Sequence, residues 1–120
     1  MIEGSCHCGA VRWVFDDIPE KLTLCNCSLC RRIAALWAYG NLDNITVTAA
    51  PDATNAYVQG DKLLAMHSCR TCGCTTHWVS LAAEEGVWRI AVNMRMADPA
   101  AYAHIRVRHF DGADSWTYFD

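Results

Sequence analysis

Proline is scarce in this chain, at three residues in 120, and no stretch is rich enough in proline, glycine or serine to serve as a linker. The sequence therefore predicts one domain over residues 1–120. A basic surplus is also missing: the formal charge is -3, and Arg31-Arg32 and Arg106-x-Arg108 are the only local basic clusters. That excludes the electrostatic footprint of a nucleic-acid binder. No apolar run approaches the ~18 residues of a membrane span, so no membrane partner is expected. The opening Met-Ile-Glu-Gly-Ser-Cys has neither the basic nor the apolar region of a secretory signal. The expectation is a cytoplasmic protein whose thiols stay reduced. On the same ground Asn44-Ile45-Thr46, which matches the glycosylation sequon, is read as a chance triplet.

What the chain does have is a globular balance, with 52% apolar and 19% charged residues, and a strong strand signal. Val11, Trp13 and Phe15 alternate with Arg12, Val14 and Asp16, and Ile18-Pro19-Glu20 follows as a turn. Further strands are read at Leu22–Cys27, Ala35–Tyr39, Ile45–Thr48, Leu63–His67, Thr75–Leu81 and Val87–Val92. Gln59-Gly60-Asp61 forms a hairpin turn, and residues 82–86 join the last two strands. Helix is limited to one turn over 28–33 and a short segment starting at Asp98-Pro99, with Asp as cap and proline in the first turn. The predicted class is mainly β, in small folded antiparallel sheets. The five tryptophans read as core fillers, with Trp37 and Trp116 as the exceptions that could line a ligand site.

Eight cysteines fall into three groups: Cys6-x-Cys8, Cys25-x-Cys27-x-x-Cys30 and Cys69-x-x-Cys72-x-Cys74. A disulfide framework needs an oxidising compartment, and a redox Cys-x-x-Cys belongs beside a strand–helix unit. Metal binding accounts for the grouping directly. Cys-x-Cys on a strand points two thiols to one face. Cys-x-x-Cys in a turn brings two thiolates onto one ion, and Gly73 permits the left-handed backbone of such a knuckle. Zinc suits a thiolate-rich site. Spacing alone leaves two divisions open: two closed four-cysteine sites, or one closed site and one three-cysteine site with a free fourth position.

Gly4-Ser5-Cys6-His7-Cys8-Gly9-Ala10-Val11, Cys25-Asn26-Cys27-Ser28-Leu29-Cys30-Arg31-Arg32 and Cys69-Arg70-Thr71-Cys72-Gly73 together resemble the glutathione-dependent formaldehyde-activating (GFA) family. The stretches 91–95 and 107–114 are similar to it as well. The resemblance implies a zinc-carrying β-tent fold with two zinc ions. Cys6, Cys8, Cys69 and Cys72 would hold a structural zinc, and Cys25, Cys27 and Cys30 a second zinc open to a substrate thiol such as glutathione. It implies a carbon–sulfur lyase type of chemistry on a glutathione–aldehyde adduct of the S-hydroxymethylglutathione type. The alternative is a non-catalytic, zinc-stabilised binding module or thiol carrier. Cys74 departs from the family pattern and reads as a buried free thiol, with closure of the second zinc as the alternative.

Arg31 and Arg32, directly after Cys30, are candidates for binding a substrate carboxylate, set against a reading as ordinary solvated arginines. His7, His67 and His77 read as structural or exposed, and His67, two residues before Cys69 on a strand, is expected to approach the first metal. Met94 and Met96 read as strand-face packing. Asp111-Gly112-Ala113-Asp114 reads as a turn that could border a pocket.

Overall fold

The computed structural model describes residues 1–120 as two sheets with little helix. Strands β1 (Ile2–Ser5), β2 (Arg12–Phe15) and β5 (Ile45–Thr48) form a small antiparallel sheet. The larger sheet has seven strands in the order β10-β3-β4-β9-β8-β7-β6. Its members are β3 (Lys21–Cys25), β4 (Trp37–Asn41), β6 (Thr54–Tyr57), β7 (Leu64–Cys69), β8 (Thr75–Ser80), β9 (Arg89–Asn93) and β10 (Arg106–Phe110). The helices α1 (Cys30–Ile33) and α2 (Pro99–Tyr102) are single turns. As its sequence predicts, α2 starts at a capped proline turn, with the Asp98 carboxylate accepting from the Ala100 amide at 3.0 Å.

One pairing departs from the antiparallel expectation. β10 runs parallel to β3, Arg106 opposite Lys21 through Phe110 opposite Cys25. Parallel neighbours need a long crossover, and here the crossover is most of the chain. β10 was not read as a strand because it lies at a sheet edge and buries no residue fully, so its alternation carries basic side chains and no apolar stripe. β1 was missed for its shortness, although Ile2 and Gly4 are both buried. The expected strand from Val87 begins later, at Arg89. Val87 pairs with Glu84 across a two-residue turn in which Glu85 and Gly86 both have positive φ, the backbone a tight hairpin needs.

The main core lies where the sheets face each other, with Trp13, Phe15, Leu22, Ile45, Ile90 and Met94 among its buried members. Met94 and Met96 contribute to it from a 3-10 turn, not from a strand face. The turn follows from Asn93, whose side-chain oxygen accepts from the amides of Leu36 (3.1 Å) and Arg95 (3.2 Å), while its NH2 donates to Thr75 O at 2.9 Å. A second core cluster joins Ala35, Trp37, Met66, Trp78 and Ala91. Trp37 is therefore a core residue, while Trp116 is exposed. Beyond β10 the chain turns back along the same edge. Tyr118 bridges to Phe110, and the Phe119 amide donates to His109 O at 2.9 Å.

Within the small sheet Gly4 lies opposite Trp13, and a Cβ at Gly4 would stand 2.3 Å from carbons of that ring. Only a residue without a side chain fits beneath that indole. Gly4→Ala should displace Trp13 and lower stability by about 1–3 kcal/mol. The denaturant midpoint at fixed zinc concentration measures it, and an unchanged midpoint would show that the ring repacks freely.

Candidate metal centres

The sulfurs of Cys6, Cys8, Cys69 and Cys72 all lie within 4.8 Å of one another, and those of Cys25, Cys27 and Cys30 form a second such group. In the first group, Cys6 and Cys8 follow β1 and Cys69 ends β7. The Cys-x-Cys pair sits in a turn and not on a strand, with Cys6 buried and Cys8 exposed. The turn is closed by Gly9 N–H donating to Cys6 O at 3.1 Å, and the second knuckle likewise by Gly73 N–H donating to Cys69 O at 2.9 Å. Both glycines have φ above +80°, as expected of Gly73 from the sequence. Cys6 and Cys8 sulfurs are 3.7 Å apart, and Cys8 and Cys69 sulfurs 3.6 Å. A tetrahedron with metal–sulfur bonds of about 2.3 Å has edges of about 3.8 Å, so the donor set fits a four-thiolate ion such as zinc.

Protons are shared unequally in this group. The Cys74 and Cys8 backbone amides lower the Cys72 thiol to about 5. Cys69 is lowered first by the Cys72 amide. At Cys8 the Ala10 amide pulls down, but the surrounding sulfurs, Cys69 first, raise the thiol to about 11. An ion entering here displaces the remaining protons, so its affinity weakens as pH falls.

The second group is built from a strand end, a turn and a helix start: Cys25 closes β3 and Cys30 opens α1. Each sulfur accepts a hydrogen bond. Cys27 N–H donates to Cys25 Sγ at 3.4 Å, Cys30 N–H to Cys27 Sγ at 3.3 Å, and the Trp37 indole N–H to Cys30 Sγ at 3.4 Å. The Cys30 thiol bonds to Cys25, which holds Cys25 down at about 6 and pushes Cys30 well up, with burial raising Cys30 further. Three protein sulfurs leave the fourth tetrahedral position to something else.

Beside this group lies an open cleft of about 320 Å³ lined by Ser28, Leu29, Arg32, Tyr57 and Gln59. Ser28 and Leu29 are the two residues between Cys27 and Cys30, so one wall of the cleft is the knuckle itself. The two candidate arginines separate here. Arg32 lines the cleft and donates from Nη1 to Ser28 O at 2.6 Å, while exposed Arg31 lies outside that lining.

Cys74 belongs to neither sulfur group. It packs with Cys6, Val11 and Cys69 and bonds to Cys72, so it stands beside the first cluster and does not close the second, and it is half-buried where the sequence predicts a buried thiol. His67 does not join the first cluster either. The β7–β8 register slips there, with Thr76 as the extra residue on β8, and His67 is engaged by neighbours other than the cysteines. Its ring stacks on His77 with centroids 4.6 Å apart, and its Nδ1 bonds Thr54 Oγ1 at 2.8 Å. Burial, with His67 adding, lowers His77 to about 4, so it is neutral near pH 7. The sequence reading missed Trp37 as a donor to Cys30, because nothing in a spacing of seven residues announces that contact. It also missed Asn26, whose position inside Cys25-x-Cys27 was the available signal.

These features define a class: a small, mainly β protein built around two thiol clusters able to hold metal ions. The chain belongs to the family described as "Glutathione-dependent formaldehyde-activating enzyme", whose profile matches residues 1–110. A Halomonas elongata protein provisionally named as a glutathione-dependent formaldehyde-activating enzyme is 34% identical over 88 residues, covering 66% of this chain. That match spans 55% of the relative, so the chain corresponds to about half of its length. A crystal structure of a Rhodobacter sphaeroides protein superposes with a TM-score of 0.68 at 26% identity, covering 88% of this chain and 99% of that one. No helix here is long and apolar enough to cross a membrane.

The two sulfur groups predict a metal count. Protein refolded with zinc should carry two ions per chain by elemental analysis, Cys27→Ala one, and Cys74→Ser still two. A single ion that Cys27→Ala leaves in place would contradict two centres.

Proposed function

We propose that the chain is a zinc-dependent enzyme of carbon–sulfur lyase type, acting on an adduct of glutathione and an aldehyde or on a related small thiol. Cys6, Cys8, Cys69 and Cys72 hold a structural zinc in this reading, and Cys25, Cys27 and Cys30 a second one. The observation that carries it is the three-sulfur group beside the Arg32-lined cleft. Membership of the family supports glutathione and formaldehyde as the substrate class.

A zinc ion in the second site would supply the positive charge that keeps a substrate thiol ionised at neutral pH. The chain's own part is orientation and charge balance. Three thiolates against one divalent ion leave a net charge near -1, and the N–H donors of Cys27, Cys30 and Trp37 spread it over the sulfurs. Arg32 presents a guanidinium to a substrate carboxylate, a recognition suited to the two carboxylates of glutathione. The open cleft lets the thiol proton leave to solvent. In the reaction itself the glutathione sulfur bonds to the formaldehyde carbon and the carbonyl oxygen takes a proton, giving S-hydroxymethylglutathione. The reverse direction breaks that carbon–sulfur bond.

The test is the rate at which formaldehyde and glutathione equilibrate with and without the zinc-loaded protein. Acceleration is expected. Arg32→Ala should raise KM for glutathione about tenfold, the loss of one charge-assisted hydrogen bond, with a smaller change in kcat. Glutathione binding at the second site without any acceleration would favour the thiol-carrier reading.

A further inference from the structure

Residues 111–120 build one wall of the second sulfur group. Asn26, between Cys25 and Cys27, is held by them from several directions. Its amide donates to Phe110 O at 3.2 Å, its NH2 donates to Asp111 Oδ1 at 3.0 Å, and its side-chain oxygen accepts from the Ala113 amide at 3.0 Å. Asp111 is buried, and its other oxygen accepts from the Ser115 amide at 3.1 Å and the Ser115 hydroxyl at 2.8 Å. Its own amide donates to Thr117 O and its carbonyl accepts from Trp116, both at 2.8 Å. Next in the chain, the Gly112 backbone lies close against the Cys25 sulfur. A Cβ at Gly112 would stand 2.5 Å from that sulfur and 3.4 Å from the Cys27 Cβ, so space alone requires glycine there.

Anchoring the tail does not need this polar knot. Phe110 packs edge-on against Trp116 and Tyr118, and the Tyr118 hydroxyl bonds Thr23 Oγ1 at 3.0 Å. The carboxylate–amide bonds are instead directed at the knuckle. A thiolate ligand can rotate about its side-chain torsion, and backbone packed close on one side limits that freedom. Of the three sulfurs, only that of Cys25 is touched by a residue from the far end of the chain.

We propose that Asp111 and Gly112 are positioning residues of the second metal centre. Asp111 locks the tail onto Asn26, and the locked tail holds the Gly112 backbone against the Cys25 sulfur. The proposal rests on the reading that Cys25, Cys27 and Cys30 bind a metal ion.

Cobalt(II) titration of the full chain, followed by its sulfur charge-transfer and ligand-field bands, tests it. Subtracting the spectrum of Cys27→Ala from the wild type isolates the second centre. Gly112→Ala and Asp111→Ala should weaken cobalt binding at that centre about tenfold or more and shift its bands, with the first centre unchanged. Asp114→Ala, an exposed change on the same tail, should match the wild type. If both test variants take up the second cobalt with wild-type affinity and bands, the positioning role is overturned while the two-centre reading stands. A wild type that binds only one cobalt overturns the two-centre reading and the proposal with it. Should Asp111→Ala lose the first centre's bands as well, it has misfolded and Gly112→Ala decides.

Discussion

The fold depends on bringing cysteines 61 positions apart, Cys8 and Cys69, to sulfur contact. Closing a loop of that length costs entropy that only a strong interaction offsets. An ion shared by four thiolates is strong enough, since structural zinc contributes about 10–16 kcal/mol in isolated zinc peptides. The geometry shows what such a cross-link joins. Cys6 and Cys8 extend from the three-stranded sheet, while Cys69 and Cys72 belong to the turn between β7 and β8 of the seven-stranded sheet. The small core of Cys6, Val11 and Cys69 lies at this junction. The second group differs in kind. Its cysteines span only 25–30 and are placed by local strand, turn and helix bonds. An ion there closes a short loop and contributes little chain entropy, so its exchange leaves the architecture standing. This difference supports assigning stability to one centre and chemistry to the other.

Much of this could be read from the residues because the relevant signals are local. Cysteine spacing identified both knuckles, alternation found most of the strands, and Asp98-Pro99 marked α2. The errors arose where long-range contacts decide. Cys6 and Cys8 lie in a glycine-closed turn, so their convergence owes nothing to strand alternation. His67 is taken up by stacking on His77 and by its bond to Thr54, partners on neighbouring strands that a periodic reading of one strand cannot contain. Met94 left its strand because Asn93 accepts from two amides, one of them from Leu36, 57 positions away. Trp37 was set apart from the core tryptophans for its turn-rich surroundings in sequence, whereas its neighbours in space include Met66 and Trp78. Asp111 and Asn26 were separately visible, but their contact across 85 positions was not.

Hydrogen bonding to sulfur is the common theme of the two centres. At the first, the donors are knuckle amides such as that of Val11, 3.3 Å from Cys6 Sγ. At the second they come from two sources, the knuckle backbone and the indole of a core tryptophan. Each links the state of a sulfur to a different part of the molecule. The Trp37 bond ties Cys30 to the second core cluster, so repacking that cluster reaches the site without touching a cysteine.

The returning tail has an effect unrelated to metal. By bridging Phe110 to Tyr118 and bonding Phe119 to His109, it covers backbone groups of β10 that would otherwise lie bare at the end of the seven-stranded sheet. A sheet left with bare edges on both sides can template endless stacking of copies. With that edge occupied from within, β6 is left as the open edge strand of the seven-stranded sheet.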